Sequence, residues 1–134
     1  MKKGLDENTY VDEAEKVILE LKEGGKNGRR NDRGENIIST SQIRNILSML
    51  AGMYNQVIHS KSNTLEQSLQ GDLKYCKMRY VYEAGRDKKM KDFINKSRMM
   101  EYIDWIGDSR ENFILYYHYI EALVAYHRYY CPEK

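Results

Sequence analysis

Apolar residues recur at three- and four-residue spacing along nearly the whole chain, and that period predicts helices and no strands. The first predicted helix runs from about Thr9 to Glu23. Thr9 is its cap, Asp12 and Glu13 sit at its positive end, and Val11, Ala14, Ile18 and Leu21 share one face. Gly24-Gly25 ends it. A second helix opens on Ser39-Thr40-Ser41-Gln42, where the Ser39 hydroxyl and the Gln42 amide can satisfy each other's backbone donors. Ile43, Ile46, Leu47, Leu50, Tyr54, Val57 and Ile58 mark its inner face. Asn63-Thr64-Leu65-Glu66 has the same form and is expected to open a third helix. That helix turns Leu65, Leu69, Leu73, Cys76, Tyr80 and Ala84 inward, and Gly85 is its expected stop; Gly71-Asp72 could divide it.

A fourth helix is expected from the cap Asp87 to about Gly107, through Met90, Phe93, Ile94 and Ile103. Asp108-Ser109-Arg110-Glu111 reads as one more capping box. The last helix carries Phe113, Tyr117, Ile120, Val124 and His127 at helical spacing and is closed by Pro132. The expected fold is therefore all-α, a compact bundle of about five helices forming one domain over residues 1–134. Residues 24–38 interrupt the pattern as an exposed basic loop with Lys26, Arg29, Arg30 and Arg33, longer than connections in compact domains usually are.

Composition agrees with a globular chain. A hydrophobic fraction of 41% supplies a core, and the charged 31% is of mixed sign. No run of 18 apolar residues is present, so no membrane span and no membrane partner are expected. The first ten residues hold two lysines but no apolar stretch, which argues against a secretory signal. Cys76 and Cys131 are then read as free thiols of a cytoplasmic protein.

The net charge of +2 conceals a segregation. Residues 1–23 and 99–134 each carry −3, whereas 24–61 and 62–98 each carry +4. Acidic ends thus flank a basic centre, which bears on partners and not on fold.

No catalytic constellation is visible, and no enzyme activity or cofactor is expected. His59, His118 and His127 are scattered, and His127 with Cys131 offers two zinc ligands where three or four are needed. Asp87 and Asp92 are five apart among lysines, a poor magnesium site. The glycines at 24, 25, 28 and 34 do not form a phosphate loop.

The basic centre favours a phosphate backbone. Lys74 and Lys77 share one side of the third helix, Arg79 and Arg86 another. Lys88 and Lys89 begin the fourth helix, and Arg44 lies opposite the apolar stripe of the second. Such side chains bind phosphate without reading sequence. The competing reading is a protein–protein scaffold whose basic centre docks an acidic partner, or solvated faces with internal pairs such as Arg79 with Glu83. Tyr116, Tyr117, Tyr119, Tyr126, Tyr129 and Tyr130 surround the last helix on every side, which points to protein neighbours at that acidic end.

The stretches beginning Ile38-Ser39-Thr40, Leu73-Lys74-Tyr75 and Tyr119-Ile120-Glu121 resemble the small subunit of the Csm complex, the type III-A CRISPR effector, and the likeness spans nearly the whole chain. The resemblance implies a helical, non-enzymatic subunit of an antiviral complex. It further implies several copies stacked along the complex interior, touching the guide RNA, the target RNA and the other Csm subunits. By the same resemblance Arg44, Arg79 and Arg86 are RNA-contact candidates. Lys74, Lys77, Lys88 and Lys89 join them on charge and spacing.

Overall fold

The structure is a computed structural model that describes residues 4–23 and 37–131. The basic stretch 24–36 and Pro132 lie outside the described residues. Among the described residues six helices follow in order: α1 (Tyr10–Lys22), α2 (Thr40–His59), α3 (Gln67–Arg86), α4 (Lys88–Ser97), α5 (Met99–Ile106) and α6 (Arg110–Tyr130). The expected all-α class holds, with six helices in place of about five.

The extra helix arises at Arg98, whose backbone is left-handed at φ 62° and ψ 31° and divides the predicted fourth helix into α4 and α5. Nothing local in the sequence announces this, because the segment from 88 to 106 has neither glycine nor proline. Tertiary bonds hold the break. A turn that leaves the helix frees backbone carbonyls, and buried carbonyls need donors. The Tyr119 hydroxyl donates to the Ser97 carbonyl at 2.9 Å, and the Tyr116 hydroxyl reaches the Met99 carbonyl at 3.2 Å and the Tyr80 oxygen at 3.3 Å. Arg98 is held by Glu101 and lies over the Tyr102 ring at 5.2 Å.

α6 is the axis of the fold. α1 and α2 pack along it most extensively, α5 also rests on it, and α3 packs chiefly on α4. This placement corrects the expectation for the tyrosines. A helix surrounded by neighbours buries more than one stripe, and Tyr116, Tyr117 and Tyr119 are core residues. Tyr130 donates to Glu15 at 2.6 Å, and Tyr102 of α5 donates to Glu13. Lys96 pairs with Glu20. Three carboxylates of the acidic first helix thus meet partners within the chain. Tyr129, 76% exposed, does face solvent.

Other expectations hold or shift by small steps. Ser39 and Gln42 form the reciprocal capping box of α2. The box at Asn63–Glu66 does not form: α3 begins at Gln67 with no side-chain cap at Glu66. The backbone there pairs with the α5–α6 link instead, Leu65 N–H to the Asp108 carbonyl at 2.8 Å and Arg110 N–H to the Asn63 carbonyl at 3.1 Å. The last box is displaced by one residue, since Ser109 caps α6 by accepting from Asn112 N–H. α3 passes unbroken through Gly71-Asp72 and Gly85. Val11 and Ile58 are exposed, although the helical pattern placed them inward.

Ile37 and Ile38, expected to end the exposed loop, are buried. The Ile38 carbonyl accepts from His127 Nε2 at 2.7 Å, so that histidine is a core residue, and its Nδ1 has no partner among the described residues. No group of three metal-binding side chains exists among the described residues, and no described helix is long and apolar enough to cross a membrane.

Candidate nucleic-acid interface

The basic candidates divide into two groups, set at two different clefts. The first group gathers where α2, α3 and α4 meet. Asp87 is the pivot. It ends α3 and caps α4, its Oδ1 accepting from the backbone N–H of Lys89 at 3.0 Å and of Met90 at 3.4 Å. Its Oδ2 accepts from Gln42 Nε2 at 2.8 Å, while Gln42 Oε1 accepts from Ser39 N–H at 2.9 Å. One glutamine therefore completes the cap of α2 and holds the cap of α4. The hydrogen bond from Gln42, the two backbone donors and the nearby Lys89 charge hold the Asp87 carboxyl below its ordinary range.

Around this junction Lys88 and Lys89 are exposed in the first turn of α4, and Arg44 is exposed two positions beyond Gln42 on the outward side of α2. Arg44 and Lys88 make no ion pair with any described residue. Lys91 is exposed in the same turn and belongs with them. It was legible as the third lysine in the run from 88 to 91. Arg79 and Arg86 reach Glu83 at 3.4 and 3.7 Å and flank the Tyr82 ring at 5.6 and 5.7 Å. These contacts fix the arginines locally without burying them, and their side chains stay 41% and 62% exposed. Glu83 offsets part of their charge. The expected Arg79–Glu83 pair is present, and both arginines draw on the same carboxylate of their own helix.

Beside the junction a cleft of about 460 Å³ opens between α2, α3 and α4. Ile46, Tyr80, Met90 and Ile94 form its floor, with Asn45, Ser48 and Arg79 among the polar residues of its rim. Burial pushes the Tyr80 hydroxyl well above its ordinary pKa, so it stays protonated and available as a hydrogen-bonding group.

The second group is Lys74 and Lys77. Both border a shallower cleft with Ile103, Asp104 and Asp108. Lys77 Nζ lies 2.8 Å from both carboxylate oxygens of Asp104, tying α3 to α5. Lys74 is exposed. Twelve residues separate Lys74 from Arg86, about 18 Å along the helix, so the seven candidates do not form one patch.

Residues 13–133 match the family model described as Csm2 Type III-A. The chain is 37% identical over 125 residues to the "CRISPR system Cms protein Csm2" of Streptococcus thermophilus, covering 93% of each chain. It is 33% identical over 120 residues to the protein of the same name from Enterococcus italicus, covering 87% of this chain and 86% of that one. The like-named protein of Mycobacterium tuberculosis is 33% identical over 96 residues, 72% of this chain and 77% of that one. Matched by the family model over nearly its full length, the chain belongs to the Csm2 type III-A family.

Proposed function

We propose that the chain is a non-catalytic, cytoplasmic small subunit of a type III-A CRISPR effector complex, and that it binds the backbones of guide and target RNA without reading sequence. Several copies stack along the interior of that complex beside the other Csm subunits. The observation that carries the RNA contact is the Gln42–Asp87 bond, which draws the starts of α2 and α4 together so that Arg44, Lys88 and Lys89 stand exposed beside Arg86. Exposed cations on adjacent helix ends meet successive phosphates and need no base edge. Family membership supports the assembly into a complex.

The test is RNA binding by the full chain as salt is varied, together with RNA crosslinking in the purified complex. Replacing Arg44, Lys88 and Lys89 with alanine is expected to weaken binding and flatten its salt dependence, by about 0.7 in slope for each single-strand phosphate no longer neutralised. Unchanged affinity and slope in a folded triple variant would remove the reading. Crosslinks confined to protein would favour the scaffold alternative, in which the basic centre docks an acidic partner.

A further inference from the structure

Arg79, Tyr82, Glu83 and Arg86 follow one another in steps of three, one and three, which places them on one side of α3. Both arginines turn to the same carboxylate: Arg79 Nη2 lies 3.4 Å from Glu83 Oε2, and Arg86 Nη1 lies 3.7 Å from Oε1. Both also lie over the ring of Tyr82, which is exposed. Two cations thus converge on one ring and one anion, and the group keeps a surplus of positive charge.

The pairs with Glu83 are loose. On the same helix Lys77 reaches Asp104 at 2.8 Å, the separation of a committed charge-assisted bond. Glu83 has its arginines at 3.4 and 3.7 Å. Two guanidiniums carry more N–H donors than one carboxylate has lone pairs to meet. Glu83 therefore balances the arginines in part without saturating them.

We infer that Arg79 and Arg86 are a paired phosphate site, splinted by Tyr82, in which Glu83 is the resident anion that an RNA phosphate displaces. The inference rests on the RNA reading above and adds to it the two positioning residues, Tyr82 and Glu83. The attraction of a ring for a cation does not depend on the carboxylate, so Tyr82 keeps the arginines gathered when Glu83 yields. Glu83 borders the cleft between α2, α3 and α4, into which its side chain can turn.

A carboxylate tethered one turn from each arginine competes at high effective concentration. A phosphate meeting only this pair is at a disadvantage against it. A strand already held by the exposed Lys88 and Lys89 stays beside the pair and displaces Glu83 more readily. Glu83 thus disfavours single contacts and favours a strand that engages α3 and α4 together. Phosphates recurring along a strand suit that arrangement better than an isolated acidic side chain does.

The test is binding of the full chain to an oligouridylate of about 16 nucleotides as salt is varied. Glu83→Gln keeps the side-chain shape and removes the competing charge. It is expected to tighten binding about fivefold at low salt and to steepen the salt slope by up to about 0.7. The gain is expected to vanish when Arg79→Ala and Arg86→Ala are also present, as coupling through those residues requires. Tyr82→Leu is expected to weaken binding about threefold, and Tyr82→Phe, which keeps the ring, to restore it. Unchanged or weaker binding by Glu83→Gln, or a gain that persists without the arginines, would overturn the inference. If the Arg44, Lys88 and Lys89 variant still loses affinity in that case, the RNA reading stands without it. An equal gain toward a polyglutamate peptide would assign the pair to an acidic protein and overturn the phosphate assignment.

Discussion

The Gln42 side-chain amide donates to the Asp87 carboxylate at 2.8 Å, fastening the first turn of α2 to the first turn of α4 across 45 positions of sequence. Both residues are already committed to capping, so the bond couples two local signals into one tertiary joint. The exposed cations Arg44, Lys88 and Lys89 take their relative positions from it.

That joint has a pH signature. Asp87 is held below its ordinary pKa in the folded chain, so its contribution is complete above the unfolded carboxylate range and is lost as pH falls through the lowered folded value. Urea midpoints measured from neutral pH downward are expected to fall in acid, and Asp87→Asn to reduce that fall. At neutral pH, Asp87→Ala is expected to cost about 1 kcal/mol as a lost helix cap.

The tyrosines that hold the α4–α5 break give a second prediction. Tyr119→Phe removes the donor to the Ser97 carbonyl inside the core and is expected to cost about 1–3 kcal/mol. Tyr116→Phe is expected to fall in the same range, since it releases both the Met99 carbonyl and the Tyr80 oxygen. Tyr129→Phe, on the exposed side, is expected to stay within about 0.5 kcal/mol of the parent in the same denaturation experiment.

Arg98 separates backbone from side-chain effects. Its left-handed conformation favours glycine, whereas its guanidinium is tied to Glu101 and Tyr102. Arg98→Ala removes the guanidinium and keeps the strain; Arg98→Gly removes the guanidinium and relieves it. Thermal unfolding is expected to rank the glycine variant above the alanine variant by about 1 kcal/mol.

The two groups of basic residues are expected to behave differently. Lys77→Ala breaks the bridge to Asp104 and is expected to change RNA affinity and salt slope less than Lys88→Ala does. Titrations of the two variants at matched salt check this ranking. An exposed bridge of this kind contributes at most about 1 kcal/mol to stability, so both variants should remain folded.

Much of this was legible in the order of residues. The inner faces of α2 and α3, the Ser39–Gln42 cap and the Asp87 cap follow from contacts within four or five residues, where spacing alone brings groups together. The basic candidates were legible one by one as Arg44, Lys88 and Lys89, but not their sorting. Lys77 and Arg79 are two apart in sequence, yet one turns to Asp104 on α5 and the other to Glu83 and the cleft.

The sequence by itself determined a single all-helical chain, the apolar stripes and the segregation of its charge, because helical period and composition are local properties. Only the tertiary structure decided that α6 is enclosed, that Tyr116 and Tyr119 are core residues, and that the helix breaks at Arg98. Those outcomes depend on buried hydroxyls meeting carbonyls 17 and 22 positions away, beyond the reach of any helical period. For the same reason, the Gln42–Asp87 joint exists in the fold and in no stretch of the sequence.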